Sequence, residues 1–387
     1  MYRPIPPGED DRSCSTLTAT RTGTILSVQP VAEQGGSDQA LLRLVRQMSS
    51  SGWRCHIALP APSPMATELE AAGASLHVVP MRRVSTSHGL GGWAAYLFSW
   101  PVSVARLWAL ARKVGADVVH SNSLHCWYGW AAAALARRPH VWHAREVVAQ
   151  SKLALRLERV LAAHFAVRVL AVSGAVASQL DSRNVRVVTE EADPAEFFPG
   201  RAGRARTRYG LADDALVVGY VGRIDTWKGI DVLLEAAPEL HGPQLAIAGS
   251  PVAGKEGYFA ALSDRARSLG ALWLGPLSGA DAADLIADLD CLVYPSTAPE
   301  PFGLVLVEAL ACGVPVVSTS WGGPREILAG LAPSAGRLVP PGDAPALARA
   351  VTELLPPATS TRLRQGRPVL RTGDPPPYPA IFGELVR

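Results

Sequence analysis

Short apolar runs of strand length alternate with helical patterns along almost the whole 387-residue chain. The first run, residues 24–28, precedes a double glycine and a helix whose apolar residues recur at helical spacing, with Ser37 as its expected N-cap. A second series of the same kind starts with the run at residues 216–221. Alternating strands and helices give parallel sheets with helices on both faces. The sequence therefore predicts an α/β protein built from parallel sheets.

The segment at residues 197–208 is rich in arginine, glycine and proline and is interpreted as an interdomain linker. The chain is long enough for two domains with separate cores. We predict Rossmann-like domains over residues 23–196 and 209–370. Residues 1–22 lack the apolar run of a signal peptide and are predicted to be a disordered extension. Residues 371–387 form a proline-rich tail. Whether this tail returns to the first domain stays open.

Composition narrows the classes of function. Hydrophobic residues make up 48% of the chain and charged residues 18%, which indicates a well-buried globular protein. The net charge of +3 is too small to indicate nucleic acid as the main partner. Five scattered cysteines form no CxxC pair, so neither a zinc site nor a disulfide framework is predicted. A reducing, cytoplasmic setting fits this pattern best.

Residues 89–105 carry no charge and include four aromatic side chains, Trp93, Tyr96, Phe98 and Trp100. The segment is shorter than the roughly 20 residues that a spanning helix needs, and proline and glycine interrupt it. A core or surface helix is the default interpretation, and another helix is expected after it, over residues 104–114. The alternative is a peripheral contact with the inner face of a membrane, with Arg82 and Arg83 just upstream.

The most informative single stretch is residues 295–315, which predicts a strand end, a loop, one helix and the next strand. Two acids interrupt its apolar sequence, Glu300 before the helix and Glu308 inside it. Gly303 and Glu308 are expected about 7–8 Å apart along the helix axis. The acids could therefore hold separate parts of an extended ligand, with a phosphate at the helix N-terminus between them. A capping acid and a solvated helix acid would be the ordinary alternative, but Glu308 has no polar helix face to occupy.

Two cations follow the first strand of the second half. Arg223 comes directly after Gly222, and Lys228 directly before Gly229. Ligands of doubly wound folds bind at the carboxyl ends of the strands, where these residues lie. Arginine binds a diphosphate through two hydrogen bonds and lysine binds it as a point charge. We predict an anion site here, against the alternative of two solvated surface cations.

Polar residues also gather at the strand ends of the first half, where His120, Asn122, His143, Arg145 and Glu146 lie. For each histidine, a role as base or sugar ligand and a satisfied buried imidazole are equal alternatives. No metal-ligand spacing, no GxSxG turn and no P-loop occur in the sequence.

The order of these motifs resembles that of the group 1 glycosyltransferases, glycosyltransferase family 4. In the second half the resemblance is carried by Gly222-Arg223, Lys228-Gly229, Ile247-Ala-Gly249, Leu274-Gly275, Pro295-Ser296, Glu300-Pro-Phe-Gly303, Glu308-Ala, Gly313-Val-Pro315, Gly322-Gly323, Glu326-Ile327, Gly336 to Pro340 and Gly342-Asp343. In the first half it is looser and is carried by Gly35-Gly36, Asp117 to His120 and Val172-Ser173.

The resemblance implies a GT-B architecture, in which two Rossmann-like domains face an interdomain cleft. It implies retaining transfer of a sugar from a nucleotide-diphosphate sugar, as in polysaccharide biosynthesis. The first domain would then hold a glycan, lipid-linked or metabolite acceptor, and the second the nucleotide sugar. The donor would be the only co-substrate, with no metal and no other cofactor.

The same resemblance implies roles for individual residues. Arg223 and Lys228 would hold the diphosphate, Glu308 the ribose, and Glu300 the donor sugar. The implied catalytic residues are Glu300, His143, Arg223 and Lys228. The implied donor-binding residues are Gly35, Gly36, Arg223, Lys228, Glu300, Phe302, Gly303, Leu304 and Glu308. The implied acceptor-side residues are His120, Asn122 and Arg145.

Two other functions remain alternatives at this stage. One is a catalytically silent partner subunit that binds a sugar nucleotide, and the other is a GT-B enzyme that epimerises or hydrolyses one. The sequence also departs from the family where an Asn-Gly pair is usual, because Glu190-Glu191-Ala192 stands there. The usual last helix is shortened and interrupted by prolines after Arg371.

Overall fold

The structure, a computed structural model, describes residues 21–32, 35–82, 90–149, 151–180, 182–252, 254–277, 279–370 and 375–386. Most of the predicted extension, Arg83 and residues 371–374 of the tail lie outside the described residues. The described chain forms two parallel sheets with helices on their faces, so the predicted α/β class is confirmed.

The first sheet has the strand order β3-β2-β1-β4-β5-β6-β7, and its described strands pair in parallel. Its strands are β1 Thr24–Val28, β2 Arg54–Leu59, β3 Ala74–Val78, β4 Val118–Ser121, β5 His140–Ala144, β6 Arg168–Ala171 and β7 Val185–Val187. Its helices are α1 Gly36–Ser50, α2 Ala66–Ala71, α3 Leu90–Lys113, α4 Gly129–Ala136, α5 Lys152–Phe165 and α6 Gly174–Ser178.

The second sheet has the order β10-β9-β8-β11-β12-β13 and is also parallel. Its strands are β8 Val217–Val221, β9 Gln244–Ala248, β10 Leu272–Gly275, β11 Cys291–Tyr294, β12 Val316–Thr319 and β13 Gly336–Val339. The helices of this half are α7 Arg204–Tyr209, α8 Ile230–Ala236, α9 Glu256–Ser268, α10 Gly279–Asp288, α11 Leu304–Ala311, α12 Gly323–Leu328, α13 Ala344–Leu354 and α14 Thr361–Gln365.

The last helix, α15 Tyr378–Gly383, packs on the first half although it follows the second in sequence. Tyr378, Ile381 and Phe382 are buried in the same apolar cluster as Ile25 of β1 and Leu41 of α1. This cluster fills one face of the first sheet, and residues of α3 and α4 fill the other. The chain therefore crosses back between the halves near its end.

The segment at residues 197–208 differs from a loose linker. A 3₁₀ turn, Pro199–Arg201, and the start of α7 fold it onto the second half. Arg201 pairs with Asp284 of α10 at 2.7 Å, and the Asp288 carboxylate accepts the backbone N–H of Gly203 at 2.6 Å. Arg206 and Arg208 of this segment also pair with acids of α10, Asp288 and Asp281.

Two local predictions in the first half are wrong. The segment at residues 89–105 and the helix expected to follow it form one helix of 24 residues, α3, with Pro101 inside it. Pro101 is exposed, so the carbonyl group that loses its helical partner can face water. Helix α1 is capped at Gly35, whose N–H donates to the Asp38 carboxylate at 3.1 Å, and not at Ser37. None of the described helices combines the length and apolarity that crossing a membrane requires.

Candidate active site

The two halves meet where the carboxyl ends of their strands face a common cleft. Ser173, after β6, donates a hydrogen bond to the carbonyl oxygen of Pro301 at 2.6 Å. The Glu326 carboxylate of α12 accepts the backbone N–H groups of Gly174 and Ala175 at 2.7 and 2.8 Å. These contacts bring the loop before α11 against the start of α6 and close the cleft on that side.

Lys228 and Glu300 form a buried ion pair at the floor of the cleft. Lys228 ends a 3₁₀ turn after β8, and its Nζ lies 2.7 Å from Glu300 Oε2. Both residues are almost fully buried, at 5% and 6% exposure. The same ammonium group donates to the Tyr294 hydroxyl and lies 3.9 Å from the centre of the Trp227 ring. The sequence pointed to both charges, and the structure brings them together.

Burial perturbs the titration of these groups. It lowers the pKa of the Lys228 ammonium, and the adjacent Glu300 carboxylate opposes that shift. Burial also raises the pKa of the Tyr294 phenol, and the charge of Glu300 raises it further. Tyr294 is therefore a neutral hydroxyl beside the ion pair. Sequence reasoning missed Tyr294, because a tyrosine at the end of a buried strand looks like an ordinary core residue.

Arg223 lies on the exposed loop directly after β8. Its carbonyl oxygen accepts a hydrogen bond from the Tyr220 hydroxyl at 2.7 Å, which ties this loop to the strand. Gly222 before it has φ of 154°, in a region that favours glycine. Arg223 and Lys228 therefore leave the same strand end, one toward solvent and one toward the cleft floor.

The loop that carries Glu300 is supported by two glycines before α12. The Glu300 carbonyl oxygen accepts the N–H of Gly323 at 2.8 Å. A side chain at Gly322 would place its Cβ 2.1 Å from the same oxygen. After Glu300, Phe302 and Gly303 are buried and Leu304, half-buried, starts α11. The predicted phosphate position at the N-terminus of α11 therefore adjoins the Lys228–Glu300 pair.

Glu308 of α11 pairs across the cleft with Arg43 of α1. Arg43 also donates to the carbonyl oxygen of Glu191 at 3.1 Å, and its guanidinium lies 5.6 Å from the centre of the Phe197 ring. Burial raises the pKa of Glu308, and Arg43 opposes that shift. The sequence carried no signal for this partner, since 265 residues separate Arg43 from Glu308.

On the first-half side of the cleft, Gly35 and Gly36 lie at the start of α1. Gly36 is exposed, and a Cβ built on it would meet no atom within 4 Å. Asp38 fixes this turn, because its carboxylate accepts both the Gly35 N–H and the Gln29 side-chain amide. A ligand can therefore approach the backbone at Gly36.

His120, Asn122 and His143 lie inside the first half and have no exposed surface. His120 Nδ1 lies 3.1 Å from Ser27 Oγ, and His143 Nδ1 lies 3.2 Å from Arg145 Nη2. Burial lowers the pKa of both imidazoles well below the usual range, and the charge of Arg145 lowers it further. Both histidines are therefore neutral, and neither presents an atom to a cleft ligand in this conformation.

Arg145 is the centre of this internal polar network. Its guanidinium donates to Asn122 Oδ1 at 2.9 Å and to Glu190 Oε1 at 2.8 Å. The hydroxyl of Tyr378, from α15, donates to the same oxygen of Glu190 at 2.8 Å. The acid at 190 thus neutralises a buried arginine and anchors the returning helix.

Among the described residues, no three His, Cys, Asp or Glu side chains gather as a metal-binding group. Of the charged residues predicted for the donor, Lys228 pairs with Glu300, and Glu308 pairs with Arg43, which was not predicted. Arg223 lies outside both pairs, on the exposed loop after β8. The residues predicted for the acceptor form a third cluster, which is enclosed within the first half.

Comparison with known proteins is consistent with this architecture. Residues 203–365 match a family model described as glycosyl transferases group 1, and residues 35–192 match one described as a glycosyl transferase 4-like domain. D-inositol 3-phosphate glycosyltransferase of Stackebrandtia nassauensis is 31% identical over 333 residues, covering 75% of this chain and 72% of that protein. The Mycobacterium bovis protein of the same name is 38% identical over 147 residues, which is 37% of this chain and 30% of that protein.

Among solved structures, Anabaena HepE (Alr3699) in complex with UDP and glucose superposes with a TM-score of 0.71 at 27% identity. The match covers 85% of this chain and 89% of that one. Together, the two parallel sheets, the charged cleft between them and these relatives confirm the family and the GT-B fold predicted from the motifs. The chain belongs to the group 1 glycosyltransferases.

Proposed function

We propose that this glycosyltransferase moves a sugar from a nucleotide-diphosphate sugar to an acceptor hydroxyl with retention of the anomeric configuration. The observation that carries the donor assignment is the buried Lys228–Glu300 pair beside the N-terminus of α11. A buried ammonium group at the carboxyl end of a parallel strand suits a diphosphate. The relative crystallised with UDP and glucose supports a uridine nucleotide as the first donor to test.

In this proposal Arg223 and Lys228 neutralise the diphosphate as it departs with the electrons of its bond to the sugar. Fixed cations in a cleft that excludes water stabilise that charge more than solvated cations would. Glu308 accepts hydrogen bonds from the ribose hydroxyls. Glu300 and the backbone of residues 302–304 form hydrogen bonds with the hydroxyls of the donor sugar. Gly36 leaves room for the sugar on the opposite side.

The proposal does not assign a single class of acceptor. A glycan, a lipid-linked sugar and a small metabolite all remain acceptor classes. Because the most extensively matching relative named above is a D-inositol 3-phosphate glycosyltransferase, a phosphorylated cyclitol is the first small acceptor to test. His143 is proposed to act on the sugar only through a rearrangement that opens the first-half network, because it is enclosed here.

The test measures nucleotide diphosphate release from a panel of nucleotide sugars, after a thermal-shift screen has selected the donor that stabilises the protein. We expect Lys228→Ala and Glu308→Ala to abolish release while circular dichroism shows a folded chain. The matched control is Lys255→Ala, which removes an exposed lysine of the second half and should leave release unchanged. Near-normal turnover in both site variants would refute the donor assignment.

The same assay separates the alternatives. Donor binding without any turnover would favour a silent partner subunit, and turnover to free sugar with every acceptor tested would favour a hydrolase. The anomeric configuration of the transferred sugar, read by NMR, tests retention. A product with the configuration opposite to that of the donor would exclude the retaining mechanism.

A further inference from the structure

The outward surface of α3 is apolar for most of its length. Tyr96 is buried and Trp93 and Trp100 are half-buried, so three of the four aromatic side chains singled out in the sequence pack inward. The outward positions include Leu97 at 66% and Phe98 at 83% exposure, with Val102 one turn further at 51%. Exposing side chains this large is costly in water unless another surface covers them.

The apolar surface continues across α4 to α5. Trp100 of α3 lies against Trp130 of α4 with ring centres 6.0 Å apart, and Trp130 stacks on Phe165 of α5 at 4.3 Å. Helix α5 then exposes Leu153 and Val160, at 77% and 55%. We call the outward surface of α3, α4 and α5 the helical face. The three helices connect β3 to β4, β4 to β5 and β5 to β6, and each connection runs in the same direction across the sheet. Because such connections between parallel strands are right-handed, the three helices lie on the same side of the sheet.

The exposed charged side chains of the helical face are all positive. No acidic residue occurs between Leu90 and Lys113, and α4 has none. The one acid of α5, Glu158, is fully buried and pairs with His125 at 2.7 Å. The exposed charged residues of these three helices are Arg106, Arg112, Lys113, Lys152 and Arg156. Two further exposed arginines, Arg137 and Arg138, follow α4 and line a recess with Arg112. Arg138 also lies 3.9 Å from the carboxylate of the half-buried Asp117.

We propose that the helical face docks on an anionic lipid surface. A helix of 24 residues is about 36 Å long, and lying flat it would present the apolar surface that precedes Arg106 to the boundary between lipid headgroups and acyl chains. The surrounding arginines and lysines attract anionic headgroups. The recess lined by Arg112, Arg137 and Arg138 suits a headgroup phosphate, because arginine binds phosphate through paired hydrogen bonds.

The one-sided charge argues against a second copy of this chain as the occupant. A two-fold interface places the same surface on both partners, so the arginines and lysines of one copy would face those of the other. Like charges across an interface are unfavourable, whereas an anionic bilayer neutralises them. The inference concerns the placement of the enzyme at a membrane and does not depend on which donor or acceptor it uses.

The test is co-sedimentation of the purified full chain with vesicles of phosphatidylglycerol and phosphatidylcholine, compared with vesicles of phosphatidylcholine alone. We expect binding to the anionic vesicles that weakens with salt. Phe98→Ser should weaken binding about tenfold, because an inserted aromatic side chain contributes about that factor. Arg106→Glu should weaken it at least fivefold, since each basic residue near the surface contributes about 1 kcal/mol.

The matched controls lie on α14 of the second half. Leu363→Ser removes a side chain that is 61% exposed, and Arg362→Glu reverses an exposed arginine. Neither should change vesicle binding, and Phe98→Ser should leave nucleotide release in solution unchanged. Absence of wild-type binding, or equal losses in the control variants, would overturn the proposal. A dimer in gel filtration that Phe98→Ser dissociates, without vesicle binding, would assign the face to a second copy instead.

Discussion

At the residue scale, the buried charges of the cleft are paired with one another. Lys228 is held by Glu300 and Glu308 by Arg43, so these three side chains proposed to bind the donor already have a counter-charge. A buried charge without a partner is strongly destabilising, and these pairs avoid that cost. A bound diphosphate or ribose would take over one member of each pair. The pairs thus make a highly charged site compatible with a stable fold.

The Arg43–Glu308 pair predicts a stability change that depends on pH. Arg43→Met leaves the Glu308 carboxylate buried without its cation, and we expect a loss of about 3 kcal/mol in the free energy of unfolding at neutral pH. Burial raises the pKa of Glu308 above its ordinary value of 4.5 and Arg43 opposes that shift, so without Arg43 the pKa rises further and the folded variant binds a proton more readily than the folded wild type. The loss should therefore shrink as the pH falls toward that value. Urea denaturation at several pH values measures it.

The control for this prediction is Arg46→Met on the same helix. Arg46 is 43% exposed in its side chain and pairs with Asp193 at 3.0 Å, so its removal should cost less than about 1 kcal/mol. A loss in Arg43→Met that stays constant from neutral to acid pH would show that the Glu308 carboxylate is not the group left unpaired.

The sequence singled out individual residues where the surrounding pattern was uniform. Glu308 stood out because its helix is otherwise apolar, and Lys228 because it lies between a strand and a helix start. Arg43 and Tyr294 could not be predicted in the same way. Arg43 is one of several polar residues on an amphipathic helix, and only the folded chain brings it to Glu308.

At the element scale, the loop between β11 and α11 depends on the turn before α12. Glu300 and Gly322 form a parallel β-bridge, and Gly322 has φ of 86°. The site is therefore built by two loops that hold each other. Neither loop is a regular element, so periodicity alone could not reveal their contact. The family resemblance marked both as motifs but gave no distance between them.

We expect Gly322→Ala to impair both stability and turnover. The new Cβ would lie 2.1 Å from the Glu300 carbonyl oxygen, so the Glu300 loop must move. The control is Gly330→Ala, where φ is a similar 79° but no atom lies within 4 Å. The control should cost about 1–2 kcal/mol for the left-handed backbone and leave turnover intact. Thermal unfolding and nucleotide release measure the two effects, and equal behaviour of both variants would contradict the loop assignment.

The elements themselves were largely predictable, with informative exceptions. Short apolar runs bounded by glycine and proline predicted the buried strands of both sheets. Helix α3 was predicted as two pieces because Pro101 normally ends a helix, yet an exposed proline leaves the freed carbonyl to water. Residues 197–208 were predicted as an interdomain linker from their arginine, glycine and proline content. Their contacts with Asp284 and Asp288 could not be predicted, because about 80 residues separate the partners.

At the scale of the whole molecule, two connections hold the halves together. One is α15, which buries Phe382 in the core of the first half and ties Tyr378 to Glu190. The other is the set of polar contacts across the cleft, which involves Arg43, Ser173 and Glu326. The first is apolar and buried, so it can persist while the cleft opens. The second consists of hydrogen bonds and ion pairs that opening would break one by one.

The contacts of Glu326 predict how the cleft closes. Its carboxylate accepts two backbone N–H groups of α6, and each hydrogen bond to a charged group contributes about 1.5–3 kcal/mol. Glu326→Gln removes the charge and one acceptor, so the closed arrangement should lose population. We expect a larger radius of gyration in small-angle X-ray scattering without ligand and weaker UDP binding, with little change in thermal unfolding. The matched control, Glu353→Gln, alters an exposed pair with Arg337 inside the second half and should change none of these. An unchanged radius of gyration together with unchanged UDP affinity in Glu326→Gln would mean that the contacts of Glu326 do not set the distance between the halves.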